Sequence, residues 1–195
     1  MTATEQMASD RTALDLLLHR SSSAQFGTPG PTKQDIDQMI AASVTAADHG
    51  RIRPWRFVVM RGEGRERLAS AMEEQLLASN SAATPADREK ARQKALRAPV
   101  VIALLCKPKV GHKVPISEQS HAVAAAGAHL MLAANALGYG ASWKTGDLVY
   151  QPVLRSLLGL EDQDSIIGLF YIGTDASNAR LPRATIDNVV EHWAA

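Results

Sequence analysis

The longest regular pattern in the chain is an alanine-rich segment, residues 117–137, that is followed by Gly138. Alanine is the strongest helix former, and glycine is common directly after the last turn of a helix. One face of this segment carries only small or apolar residues, which are Val123, Gly127, Leu130, Met131 and Ala134. A stripe of this kind permits close packing on more than one side. We therefore predict a central helix that is buried against the rest of the chain or against a second copy of it.

Helices and strands alternate irregularly along the rest of the sequence. Apolar runs predict buried strands at 57–60, 100–105 and 166–172, and 141–144 is predicted to be a further short strand. Apolar residues at helical spacing predict further helices that begin near residues 9, 32 and 68. A charged helix is predicted to begin near residue 84, and a short one near residue 151. Because several helices precede the strongest strand, we predict an α+β fold in which helices flank a mixed sheet. The length of 195 residues suits a single domain over 1–195.

Two of these helix starts carry capping residues. Thr32 and Asp35 have the spacing of a capping box, with aspartate in the position that glutamate often takes. Thr84 precedes Pro85, which is favourable at the first position of a helix. Both starts are therefore predicted from local chemistry alone.

Composition and charge exclude several classes of partner. The chain has 21 Lys and Arg against 20 Asp and Glu, so no strong overall field attracts nucleic acid or an anionic membrane. No apolar run approaches the ~20 residues of a membrane span, and the N-terminus lacks the pattern of a secretory signal. We expect a cytoplasmic protein. Cys106 follows an apolar run and is predicted to be a buried thiol without a catalytic role.

The segment Arg20-Ser21-Ser22 combines a guanidinium group with two hydroxyls at the end of a predicted helix. Such a turn is suited to holding a phosphate, although the same residues are also typical of simple helix capping. The remaining histidines, apart from His49, are His19, His112, His121, His129 and His192. They lack the spacing of metal ligands, so we predict no metal site.

Five segments, in order, resemble the nitroreductase family, and most of all its short members. They cover residues 14–22, 47–50, 53–57, 143–146 and 171–174, and the likeness extends over about 13–193. The resemblance implies an FMN-dependent oxidoreductase in which the flavin lies at the interface of an intertwined homodimer. It also implies a ping-pong reaction in which NADH or NADPH reduces the flavin, which then reduces a nitroaromatic, a quinone or a similar small molecule. No side chain is expected to act as an acid, base or nucleophile.

The resemblance assigns the early part of the cofactor site to Arg20, Ser21 and Ser22, which would contact the phosphate and the ring. The family often has two adjacent basic residues here, and Ser21 stands in place of the second. His49 would approach the flavin from the partner subunit. Thr45 lies four residues earlier and is expected to face the same way.

The resemblance also assigns residues later in the chain. Pro54 and Trp55 would run beneath the ring, although Trp55 is equally suited to a core or an interface. The segment behind the flavin would be Trp143, Lys144, Thr145 and Gly146. A backbone N–H of that segment would face N5, and Lys144 would either meet the phosphate or be a surface lysine. Arg183, with Arg180 as the alternative, would supply a second cation to the phosphate.

Other functions remain open on sequence grounds. A relative acting on a different substrate usually has an added lid, and the only candidate for a lid is the segment 76–97, which is rich in charge and alanine. A flavin-binding or sensory module without turnover, or a helical dimer without cofactor, would share much of the pattern. The sequence does not indicate the acceptor or the choice between NADH and NADPH.

Overall fold

The computed structural model describes residues 13–177, 185–186 and 189–193. The helices are α1 (Ala13–His19), α2 (Lys33–Ser43), α3 (Glu63–Ser79), α4 (Pro85–Leu96), α5 (Ile116–Ala136) and α6 (Pro152–Leu157). The strands are β1 (Phe26–Gly27), β2 (Trp55–Met60), β3 (Val100–Cys106), β4 (Tyr139–Lys144) and β5 (Ser165–Asp175). Short 3₁₀ turns cover His49–Arg51 and Asp147–Tyr150. None of the described helices has both the length and the apolar composition that crossing a membrane requires.

Strand β5 has more pairing partners than any other strand of the described sheet. It pairs with β3 and with β4, while β2 pairs with β3 and the short β1 pairs with the end of β5. The α+β class and the sheet flanked by helices are confirmed. Over the residues described, however, every pairing is antiparallel, whereas we expected a mixed sheet. Between β2 and β3 the chain passes through two helices, α3 and α4. The first helix leads away from the end of β2 and the second leads back to it. Strand β3 therefore begins at the end of the sheet where β2 ends, and runs antiparallel to β2.

The core has two layers because side chains of β3 point alternately to opposite faces. Val101, Ala103 and Leu105 face α3 and α6, whereas Val100, Ile102 and Leu104 face α2 and α5. All seven residues of β3 are buried, because helices cover both faces of the sheet. The strand predicted from the apolar run at 100–105 is therefore a central one.

Helix α5 is the central helix that the small-residue stripe predicts. All five residues of the stripe are buried. Gly127 shows why one position must be small, since a Cβ there would lie 2.8 Å from Cζ of Phe170 and 3.3 Å from Cδ2 of Leu104. The stripe thus brings the helix backbone close to the sheet.

The segment 76–97 does not form a free loop. It comprises the end of α3, a short connection and α4, which lies against α3. Arg88 pairs with Glu73 at 2.6 Å, and Arg92 pairs with Glu66 at 2.9 Å. These ion pairs hold the two helices together as a hairpin.

Candidate functional site

Arg20 directly follows α1. Its backbone N–H donates to the carbonyl of Leu16 at 2.9 Å, which extends the last turn of the helix. Its side chain is half-buried and forms no hydrogen bond or ion pair within the described part of the chain. A half-buried guanidinium without a partner is suited to an external anion.

The serines after Arg20 are held against β4. The N–H of Ser23 donates to the carbonyl of Ala141 at 3.0 Å. Ser21 is half-buried and Ser22 is exposed, while the hydroxyl of Ser23 is buried and has no hydrogen-bond partner among the described residues. Sequence reasoning assigned no role to Ser23, although the run of three serines was a visible signal. The segment therefore presents hydroxyls and a guanidinium beside one edge of the sheet.

A second buried hydroxyl lies on β4. Ser142 is opposite Tyr171 of β5, and its Oγ has no hydrogen-bond partner in the part of the chain that the structure describes. Ser142 and Gly140 lie on the same face of β4, and a Cβ at Gly140 would overlap Oγ of Ser23. Sequence reasoning missed Ser142 because a serine in an apolar strand gives no signal before its neighbours are known.

Residues 143–146 divide between the core and the surface. The indole of Trp143 packs on Phe170 with ring centroids 5.0 Å apart, and its Nε1–H donates to the carbonyl of Ile167 at 3.0 Å. Lys144, Thr145 and Gly146 are exposed. The side chain of Trp143 thus belongs to the core, whereas the next three residues are accessible to a ligand.

Thr45 and His49 contact different parts of α5. The hydroxyl of Thr45 lies 3.3 Å from Nδ1 of His129, and Nδ1 of His49 lies 2.6 Å from Oε2 of Glu118. The two positions on α5 are 11 residues apart, which is roughly 16 Å along a helix. The expected common orientation is wrong, because α2 ends at Ser43 and helical spacing does not continue to residue 49.

The loop that carries His49 has an unusual backbone. Gly50, Arg51 and Arg53 all have positive φ, of 77°, 54° and 55°. For the two arginines this conformation costs roughly 1–2 kcal/mol each. The N–H of Arg53 donates to Oδ2 of Asp48 at 2.6 Å, while Oδ1 of Asp48 is buried and accepts no hydrogen bond from any described residue. Asp48, which sequence reasoning left without a role, is therefore the residue that supports this loop.

Pro54 and Trp55 join that loop to β2. Pro54 is buried, and its carbonyl accepts from the N–H of Lys107 at 2.7 Å. Trp55 pairs with Cys106, and its half-buried side chain packs against the core on the α5 side of the sheet. Part of Trp55 is thus used in packing, which was one of the two interpretations left open.

The ionisable groups buried in the sheet do not provide acid or base chemistry near neutral pH. Burial raises the pKa of the Cys106 thiol to about 11, and burial also raises the pKa of Tyr171 to about 12. Cys106 is buried, as predicted. Among the residues described, no three His, Cys, Asp or Glu side chains are grouped so as to hold a metal ion.

The assigned residues form two groups in one chain. Arg20–Ser22 and 143–146 lie by β4, whereas 49–55 lies at the start of β2. Strands β3 and β5 separate β2 from β4, so three strand spacings of about 4.8 Å place these strands roughly 14 Å apart. Arg180 and Arg183 lie outside the described residues.

The fold and these segments define a class: an α+β protein whose sheet lies between two helical layers, with an arginine–serine segment at its edge. Residues 17–174 match the sequence model of the nitroreductase family, and the chain belongs to that family. The chain is 38% identical over 162 residues to YdjA of Escherichia coli (strain K12), named as a candidate NAD(P)H nitroreductase. That match covers 83% of this chain and 87% of YdjA.

Solved structures have the same fold. A nitroreductase-like family protein from Bacillus cereus superposes with a TM-score of 0.80 at 23% identity, covering 95% of this chain and 97% of that protein. A mutant of NfnB from Sphigopyxis sp. strain HMH, described as an FMN and NADPH-dependent nitroreductase, gives a TM-score of 0.77 at 18% identity. This second match covers 95% of this chain and 100% of the NfnB chain.

Proposed function

We propose that this protein is an FMN-dependent oxidoreductase of the nitroreductase type that uses NADH or NADPH. The observation that carries the proposal is the half-buried guanidinium of Arg20, which has no partner among the described residues and is followed directly in the chain by the hydroxyls of Ser21 and Ser22. Family membership and an FMN and NADPH-dependent relative of the same fold support the choice of cofactor.

The residues at this edge of the sheet fit a flavin mononucleotide. Its phosphate needs a cation and hydrogen-bond donors, which Arg20, Ser21 and Ser22 supply. Its ring needs an accessible strip of backbone, which Lys144–Gly146 provides at the end of β4. The chemistry that FMN supplies when bound is acceptance of hydride from NAD(P)H and delivery of electrons to a second substrate, in two separate half-reactions. The protein's task is to bind, orient and shield the cofactor.

A homodimer would bring together the two groups of site residues that lie roughly 14 Å apart in one chain. We propose that His49, Pro54 and Trp55 of one subunit reach the flavin held by Arg20 and residues 143–146 of the other. Helix α1 supports a second copy, because it has no buried residue. Its leucines Leu14, Leu17 and Leu18 are 63%, 56% and 55% exposed, which is unfavourable for a helix that remains in water.

We propose small electron-poor acceptors such as nitroaromatics and quinones as the second substrate. The hairpin of α3 and α4, which was the only candidate for a lid, is held to itself by ion pairs of Glu66 and Glu73. This arrangement favours an open site with broad access over one closed by a substrate-specific loop.

Flavin binding tests the proposal directly. Purified protein should be yellow, and Arg20→Ala should weaken the Kd for FMN roughly 10- to 100-fold, as expected for a lost charge-assisted contact. Arg67→Ala is the matched control, because Arg67 is an exposed arginine of α3. Steady-state rates with both nucleotides and a nitroarene or a quinone should give parallel double-reciprocal lines. A colourless protein that does not take up added FMN would overturn the proposal.

A further inference from the structure

Two loops at the start of β2 and the end of β3 present a group of cations, which we name the basic loop pair. Its members are Arg51 and Arg53 of the first loop and Lys109 and Lys113 of the second. All four side chains are exposed, and none forms an ion pair with an acidic residue within the described chain. In a protein with a net charge of +1, this is a local excess of positive charge.

Acidic groups also lie near these loops. Glu118 pairs with His49 at 2.6 Å, and Lys107 lies 3.5 Å from Glu161 and 3.3 Å from Asp164. Asp48 accepts the backbone N–H of Arg53, which leaves its negative charge in place. The basic loop pair and Lys107 together carry five positive charges against these four carboxylates, so the two loops keep a small positive excess.

The two loops are in contact. A Cβ on Gly50 would lie 3.7 Å from Cε1 of His112 and 3.5 Å from Cγ2 of Val114. The backbones also meet where the N–H of Lys107 donates to the carbonyl of Pro54. The two loops that carry the four cations are therefore adjacent.

Buried hydrogen bonds hold the second loop in shape. Gln119 is 1% exposed, and its Oε1 accepts the N–H of Lys109 at 2.8 Å. Its Nε2 donates to the carbonyls of Lys109 at 3.2 Å and Val114 at 3.0 Å. Because both loops are anchored, the cations are presented with less conformational freedom to lose than on an unsupported loop.

We propose that the basic loop pair binds the 2′-phosphate of NADPH and makes the enzyme prefer NADPH to NADH. The inference rests on the proposed function, in which the neighbouring His49, Pro54 and Trp55 reach the flavin. The nicotinamide must lie against the flavin, so the adenylate end of the dinucleotide extends to the surrounding surface. A phosphate monoester carries roughly −1.5 to −2 charges at neutral pH, and NADH lacks it. A surface of unpaired cations beside the flavin is therefore expected to bind NADPH more tightly than NADH.

The test compares kcat/KM for NADPH and for NADH with the flavin-loaded enzyme. For the wild type, we expect kcat/KM to be about tenfold or more higher with NADPH than with NADH. In the Lys109→Ala/Lys113→Ala double variant, the two values should become about equal, because two surface ion contacts with the 2′-phosphate are lost. KM for NADPH should rise while kcat with NADPH is retained. Added NaCl should lower kcat/KM for NADPH more steeply than for NADH. Lys94→Ala on α4 is the control, because Lys94 is an exposed lysine outside both loops.

The outcomes separate this inference from the proposed function. A protein that binds no FMN overturns the proposed function. A protein that binds FMN, and whose flavin is reduced as efficiently by NADH as by NADPH, overturns only the inference. A preference for NADPH that persists in the double variant also overturns the inference. The inference is overturned as well if the double variant has a changed KM for an anionic acceptor but unchanged kinetics with NADPH.

Discussion

At the scale of single residues, Trp143 shows how a side chain in a segment that the family resemblance assigns to the cofactor can serve the core. Its indole lies on Phe170 and donates to the backbone of β5 at Ile167. Gly168 makes this position possible, since a Cβ there would overlap the indole. The glycine and the tryptophan are therefore a matched pair across β4 and β5.

Replacing Gly168 by alanine should displace the indole of Trp143. We expect Gly168→Ala to lower the free energy of unfolding by about 1–3 kcal/mol, the usual cost of overpacking a core. Urea denaturation followed by tryptophan fluorescence measures it. Gly64→Ala in the first turn of α3 is the control, since the nearest atom to a Cβ at this position lies at 3.5 Å, which is ordinary van der Waals contact. Equal stability of Gly168→Ala and wild type would contradict this account.

At the scale of elements, α2 has both halves of the capping box that the sequence predicts. Thr32 Oγ1 accepts the N–H of Asp35 at 3.1 Å, and Oδ2 of Asp35 accepts the N–H of Thr32 at 2.8 Å. The same carboxylate oxygen accepts the hydroxyl of Tyr139 at 2.8 Å, which joins the start of α2 to β4. The hydrogen bond from Thr32 lowers the pKa of Asp35.

The lowered pKa sets the direction of a pH dependence. A carboxyl group whose pKa is lower in the folded state stabilises the protein above its unfolded pKa of about 3.9, and this contribution is lost as pH falls through the folded value. Asp35→Ala should therefore cost about 1 kcal/mol of unfolding free energy at pH 6, and the difference from wild type should shrink towards pH 3. Denaturant titrations at several pH values measure it.

Asp37→Ala is the control for the same helix, because Asp37 forms an exposed pair with Lys33. Such surface pairs are worth about 0.3–0.5 kcal/mol. A cost for Asp35→Ala that is no larger than that for Asp37→Ala, or that is the same at every pH, would show that the capping box does not stabilise α2.

At the scale of the whole molecule, α1 is largely uncovered by the described part of its own chain. None of its residues, Ala13–His19, is buried. Its leucines therefore have little of the described protein to pack against. A second copy of the chain would supply the missing surface.

Leu17→Lys should convert a dimer into a monomer at micromolar concentration. Burying a leucine contributes roughly 1.5–3 kcal/mol, and a lysine in its place would also have to lose water from its charge. Sedimentation measurements give the mass, and flavin absorbance should fall with dimer content. Ala78→Lys, on an exposed position of α3, adds the same charge as a control. Wild-type protein that sediments as a monomer while it retains FMN would contradict the proposal that residues of two subunits form the flavin site.

The local sequence was sufficient for elements with strong internal signals. The apolar run at 100–105 became β3, the alanine-rich segment became α5, and Thr32 with Asp35 became a cap. The two-residue strand β1 was missed because it exists only through pairing with Thr174 and Asp175. Thr45 was misplaced because helical spacing was extended past the end of α2.

The sequence by itself determined which segments form helices and strands and which family the chain resembles, because periodicity, caps and short motifs are local properties. Only the tertiary structure decided that the indole of Trp143 faces the core, that Asp48 supports a strained loop and that buried Gln119 orders a basic one. It also decided that the two groups of residues assigned to the cofactor lie at opposite edges of the sheet. These properties depend on contacts between residues distant in sequence, and such contacts arise only when the sheet and its two helical layers assemble.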